Sequence, residues 1–112
     1  MMAFAVREYV DEVLETYMLA LVGLDQCPDS AAGSIRDRLI ANVERAERLF
    51  SDAVADGLHD ASASVVEAAR RLALANEASR AGYHNGKAIG DLLTDLEQAT
   101  EYAAGVLRAA CG

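Results

Sequence analysis

Apolar residues recur at steps of three and four along almost the whole chain, the period that lays them on one face of an α-helix. Two interruptions break the pattern. Pro28 stands early, and a glycine-rich stretch, Gly82-Tyr83-His84-Asn85-Gly86-Lys87-Ala88-Ile89-Gly90, stands late. The pattern predicts an all-α chain, residues 1–112 forming a single domain folded as an antiparallel up-down four-helix bundle.

The first helix is expected from about Phe4 to about Leu24, with Val6, Val10, Val13, Tyr17, Leu21 and Leu24 as its buried stripe and Leu14 and Met18 widening it. Pro28 sets its end, because the residue before proline avoids helical geometry. Ser34 is a good N-cap, with Asp37 in the capping-box place. The second helix then runs to about Ala55, with Ile35, Leu39, Val43, Ala46, Phe50 and Ala53 inward. Its other side alternates in sign, and Gly57 suits the position just past its end. Asp60 or Ser62 caps a third helix, and Ser64 with Glu67 offers a later capping box. Val65, Val66, Ala69, Leu72, Ala73 and Asn76 face inward, and this alanine-rich, electrically neutral helix is expected at the centre. The fourth runs from about Lys87 to Ala110, with Ile89, Leu92, Leu93, Leu96, Ala99, Ala103, Val106, Leu107 and Ala110 as the clearest stripe.

Gly82, Gly86 and Gly90 are spaced by four and admit two readings. In the favoured one the third helix stops near Tyr83, and Asn85-Gly86 make the turn, since both residues tolerate left-handed geometry. In the other, one long helix runs from Asp60 to Ala110 and the small residues form a packing row. Each interior glycine costs about 1 kcal/mol against alanine, so the long helix requires an obligate dimer.

Composition narrows the function. Alanine supplies 23 residues, tryptophan none, and Phe with Tyr only six. Alanine buries little area, so the core is thin and a homo-oligomer is expected. The net charge of −8 argues against direct nucleic-acid binding and against an anionic membrane surface. It leaves a protein partner with a basic surface. Cys27 and Cys111 are too few for a disulfide framework and are expected at opposite ends of the bundle as free thiols. No signal-peptide pattern precedes the first helix, and the apolar run from Tyr17 to Leu24 is too short to span a bilayer, so a reducing, cytoplasmic location is expected.

No constellation carries chemistry. Neither His59 nor His84 follows a glutamate at the spacing of di-metal bundles. The Gly82–Lys87 segment departs from a phosphate-binding loop in spacing and in having Ala88 after the lysine. No catalytic, cofactor-binding or metal residue is therefore assigned. Two interaction candidates remain. One is a shared acidic face of the first and fourth helices: Glu8, Asp11, Glu12, Glu15, Asp91, Asp95, Glu97 and Glu101. The other is the glycine stretch: Gly82, Tyr83, His84, Gly86 and Gly90. The expected function is non-enzymatic: protein–protein interaction, by self-association or partner binding. The chain is also similar, in size and charge alone, to small acidic helical inhibitors made by phages and mobile elements. Anti-CRISPR and anti-restriction proteins are among these, and the likeness implies blockade of a basic nucleic-acid-handling protein by acidic mimicry or by interface blocking. An enzyme or metal-binding bundle is the remaining alternative.

Overall fold

The computed structural model describes residues 6–56 and 63–111, with side chains 9–55 and 63–110. They form four helices: α1 Val6–Asp25, α2 Gly33–Asp56, α3 Ala63–His84 and α4 Ile89–Cys111. Phe4, Gly57, His59, Asp60 and Ser62, and the side chains of Val6, Glu8 and Cys111, lie outside this set. At the α1–α2 link the Ala31 amide donates to the Pro28 carbonyl at 3.0 Å. The first bonds of α2 go to Ala32, from the amides of Ile35 and Arg36. Ser34 thus sits in the first turn rather than at the cap.

The glycine stretch is a turn. Gly86 has φ of +67°, the left-handed conformation glycine adopts without Cβ strain. Lys87 N–H donates to Gly82 C=O at 2.9 Å and Gly86 N–H to Tyr83 C=O at 3.3 Å. That paired pattern closes a helix with a left-handed residue, and it separates α3 from α4.

Cross-helix contacts fix the directions. Tyr17 stacks on Phe50, ring centroids 6.3 Å apart, and Gly23 lies against Leu39, so α1 and α2 are antiparallel. Gly82 lies against Leu92, and Tyr102 and Arg108 share a groove with Ala68 and Ser64, so α3 and α4 are antiparallel too. Thr16 meets Asn76, Glu15 meets Arg80 and Tyr83 meets Leu19; α1 and α3 are parallel neighbours. Arg38 pairs with Glu97 and Arg45 with Glu101, which makes α2 and α4 parallel neighbours. Tyr9 and Val13 pack with Ala103, Val106 and Leu107, while Gly23 touches Leu96, so α1 crosses α4 antiparallel. Among the described residues α2 and α3 do not touch.

The section is therefore a rhombus with α1 and α4 on the short diagonal. The molecule is a slab of 47 × 26 × 17 Å. One broad face presents α2, α1 and α3, and the other presents α2, α4 and α3. The expectation of a central α3 is corrected. The buried arc of α4 includes Leu92, Leu93, Leu96, Ala99, Thr100, Ala103, Ala104, Val106 and Leu107, wide enough to meet three neighbours. That of α3 is narrower: Val65, Ala69, Leu72, Asn76, Ser79 and Gly82.

The stripe expected on α1 is corrected as well. Its buried residues are Tyr9, Val13, Thr16, Leu19, Ala20 and Gly23. Of the expected residues whose side chains are described, only Val13 is among them, and the side chain of Val6 lies outside the described set. Val10, Tyr17 and Leu24 are half-buried, and Leu21 is exposed. Close approach to α4 explains the roll. A Cβ at Gly23 would stand 2.7 Å from Leu96 Cδ1 and 2.7 Å from Tyr83 Oη. At this crossing Ala20 and Gly23 are turned inward so that the two axes can meet, and Met18, Leu21 and Val22 are carried outward.

Two apolar clusters fill the interior. Tyr9, Val13, Ala53, Val65, Ala69, Leu72, Ala103, Val106 and Leu107 occupy one end. Leu19, Cys27, Leu39, Leu92, Leu93 and Leu96 occupy the other. Burying each large side chain contributes roughly 1.5–3 kcal/mol. A polar layer lies between them. The Thr16 hydroxyl stands 3.0 Å from the Glu12 carbonyl and 3.0 Å from Asn76 Oδ1, and its single proton serves one at a time. Asn76 Nδ2 donates to Glu12 O at 3.0 Å and to Glu12 Oε1 at 2.9 Å. A buried polar group left unpaired is costly, so this layer fixes the register of α1 on α3.

Candidate interaction face

At 100° per residue the neighbours of α1 divide its circumference. Tyr9, Val13, Ala20 and Gly23 point toward α4, Tyr17 and Leu24 toward α2, and Glu12, Glu15 and Leu19 toward α3. The remaining arc holds Asp11, Leu14, Met18, Leu21, Val22 and Asp25. Leu14 is half-buried. Met18 is 52% exposed, Leu21 39% and Val22 40%. Ile40 of α2, beside Leu39 in the pairing with Gly23, adds a further 39%-exposed side chain. Val54 and Leu74, the other exposed large apolar residues among those described, stand on α2 and α3.

This apolar strip is closed at both ends by exposed carboxylates, Asp11 and Asp25, and neither makes an ion pair with a described residue. Asp25 sits in the last turn of α1, which has no basic residue. There the helix dipole disfavours negative charge.

The acids expected to share a face are dispersed. Glu12 and Glu15 lie in the α1–α3 seam, held by Asn76 and Arg80, the latter at 2.7 Å. Glu97 and Glu101 lie in the α2–α4 seam on Arg38 and Arg45. The hydrogen bond from Arg45 holds the Glu101 carboxyl below the usual range. Asp95 takes Lys87 Nζ at 2.6 Å, and that bond raises the lysine. Among the described residues of the set, Asp11 and Asp91 are exposed without an ion pair, and they stand on opposite broad faces. Among the described residues these seams bring no acids of α1 and α4 together into a common surface.

The glycine stretch works as a packing turn. Gly82 is buried against Leu92 and Gly90 lies beside Ile35, while Gly86 faces open space. The Tyr83 hydroxyl donates to the Leu19 carbonyl at 2.6 Å, and burial pushes its pKa up to about 12. His84 is exposed at the helix end.

A groove of about 460 Å³ between α3 and α4 has Ala68 and Gly105 in its floor, Tyr102 in its wall and Glu67, Arg71, Glu101 and Arg108 on its rim. Glu67 is held by Arg70 and Arg71, and the rim charges balance. Among the described residues no three His, Cys, Asp or Glu side chains gather to hold a metal ion, and no helix is long and apolar enough to cross a membrane.

Met18 and Leu21 are surface residues that sequence reasoning assigned to the core, and Val22 is one that it did not place. A signal was there. Tyr17-Met18-Leu19-Ala20-Leu21-Val22-Gly23-Leu24 is apolar around the full helix, and one core-facing stripe accommodates only part of such a run. Comparison with known protein families, with curated proteins and with solved structures finds no match to this chain.

Proposed function

We propose that this chain is a non-enzymatic interaction protein that binds another protein through its α2–α1–α3 face. The observation that supports this is the strip of Met18, Leu21 and Val22, left in water beside the half-buried Leu14 on a helix whose core face is already filled by Tyr9, Val13, Thr16, Leu19, Ala20 and Gly23. Exposed apolar side chains grouped together, as opposed to scattered singly, mark contact surfaces. The opposite ridge offers no counterpart: Asp91, Thr94, Gln98, Glu101 and Arg108 make the exposed side of α4 polar. We assign the protein to the cytoplasm, where the buried Cys27 thiol stays reduced. The dispersal of the acids takes support from the acidic-inhibitor reading, since mimicry of nucleic acid needs them on one surface.

The test compares capture from the native cells by three tagged proteins: unchanged, Met18→Asp/Leu21→Asp, and Thr94→Asp/Gln98→Asp. Circular dichroism verifies that all three are folded. The expected result is a protein, another chain or a second copy, held by the first and third and lost by the second. Equal capture by all three overturns the assignment of the face.

A further inference from the structure

Resting on that reading, we infer that the partner is a basic amphipathic helix of a second protein. It lies along α1 with apolar side chains on Leu14, Met18, Leu21 and Val22 and with cations over Asp11 and Asp25. Three observations converge on this occupant. Met18, Leu21 and Val22 are 39–52% exposed and Leu14 is half-buried, all on the helix that forms the ridge of its broad face. A continuous apolar ridge on one helix is covered by a helix laid alongside it. Its length, from Asp11 to Asp25, is about 21 Å at 1.5 Å per residue, close to four turns of a partner helix. Spacings of four, three and four along Leu14, Met18, Leu21 and Asp25 are those of helix-on-helix recognition.

Charge then selects the partner's sign. Both ends carry carboxylates that make no ion pair with a described residue, on a chain of net charge −8, and Asp25 is held where its own helix dipole opposes it. A cation there relieves both the repulsion and the dipole. A second copy does the reverse. If two α1 strips meet antiparallel about Met18, Asp11 faces Asp25 of the copy. If they meet parallel, Asp11 faces Asp11 and Asp25 faces Asp25. Like charges juxtaposed at an interface are unfavourable. An anionic lipid surface is repelled by the same two residues.

The test uses two synthetic helical peptides of about 18 residues, long enough to span the strip. Both carry one leucine stripe. One has lysines bracketing it, the other glutamates. Binding to the full chain is read by fluorescence anisotropy. The lysine peptide is expected to bind the native protein and to weaken with salt. Asp11→Lys/Asp25→Lys is expected to weaken it about tenfold or more, equivalent to 1.4 kcal/mol or above, and to gain affinity for the glutamate peptide. Asp37→Lys/Asp91→Lys makes the same change in net charge elsewhere and is expected to leave both affinities unchanged. Equal losses in the two double variants would show that net charge alone attracts the peptide, and would overturn the proposal. So would a native protein that binds neither peptide. A native dimer by sedimentation that Met18→Asp dissolves would also overturn the basic helix, while leaving the face itself in place. Loss of cellular capture in Met18→Asp/Leu21→Asp, without peptide binding, separates failure of the partner's chemistry from failure of the face.

Discussion

α1 and α4 hold equivalent places in the rhombus, each packed against all three other helices, yet their outward arcs differ. α4 buries leucines and shows water Asp91, Thr94, Gln98 and Arg108. α1 buries Thr16, Ala20 and Gly23 beside Tyr9, Val13 and Leu19, and shows water Met18, Leu21 and Val22. The same position in a bundle is thus filled once with apolar residues inward, and once with them on both sides. The difference teaches that the interior does not need the strip on α1. Its two clusters close with α4's leucines, and the close crossing at Gly23 depends on α1 being thin.

A pair of truncations separates the two helices most widely. Leu93→Ala, fully buried, is expected to lose about 2–5 kcal/mol. Met18→Ala is expected to stay within about 0.5 kcal/mol, as surface substitutions do. Urea unfolding measures both. Comparable losses would place the strip in the core and erase the contrast. Asn76→Ala comes next. It removes the bonds to Thr16 and Glu12 that link α1 to α3, and a loss of about 1–3 kcal/mol is expected for stranded buried partners. A loss near zero would mean that apolar packing alone sets the register.

Tyr83→Phe is expected to have the smallest effect. It removes the bond to the Leu19 carbonyl, for about 1 kcal/mol at neutral pH. It also changes the alkaline limb. The folded pKa of Tyr83, about 12, lies above the ordinary tyrosine value. The stability tied to the neutral phenol is therefore fully present below pH ~10 and is lost as pH rises through the folded value. Melting temperatures are expected to fall across that window more steeply in the native protein than in Tyr83→Phe. Lys87, also raised by its bond to Asp95, titrates in both proteins and cancels in the difference. Parallel curves would mean that the phenol is not held as described.

The helices themselves were legible because each carries its own period and its own punctuation. Pro28 and Asn85-Gly86 stop helices as their backbone chemistry requires. The faces of α2, α3 and α4 were legible for the same reason, with Leu39, Leu72 and Leu96 where the spacing put them. The face of α1 was not. Its apolar run surrounds the helix, and hydrophobicity does not say which side is inward. Closeness of approach decides it, and that depends on Tyr83 and Leu96, about 60 and 70 residues away, which no local pattern encodes. The acidic residues were misgrouped for a related reason: charge along one helix does not reveal the arginine on the next.

Gly23 has one further consequence. By turning the thin side of α1 inward, it separates the residues that hold the helix in place from those that show outward. Positions 18, 21 and 22 are thereby open to exchange with little effect on folding, and a library randomised there is expected to remain helical while its binding preferences diverge. The slab is a scaffold whose specificity is rewritable on one helix, provided residue 23 stays glycine.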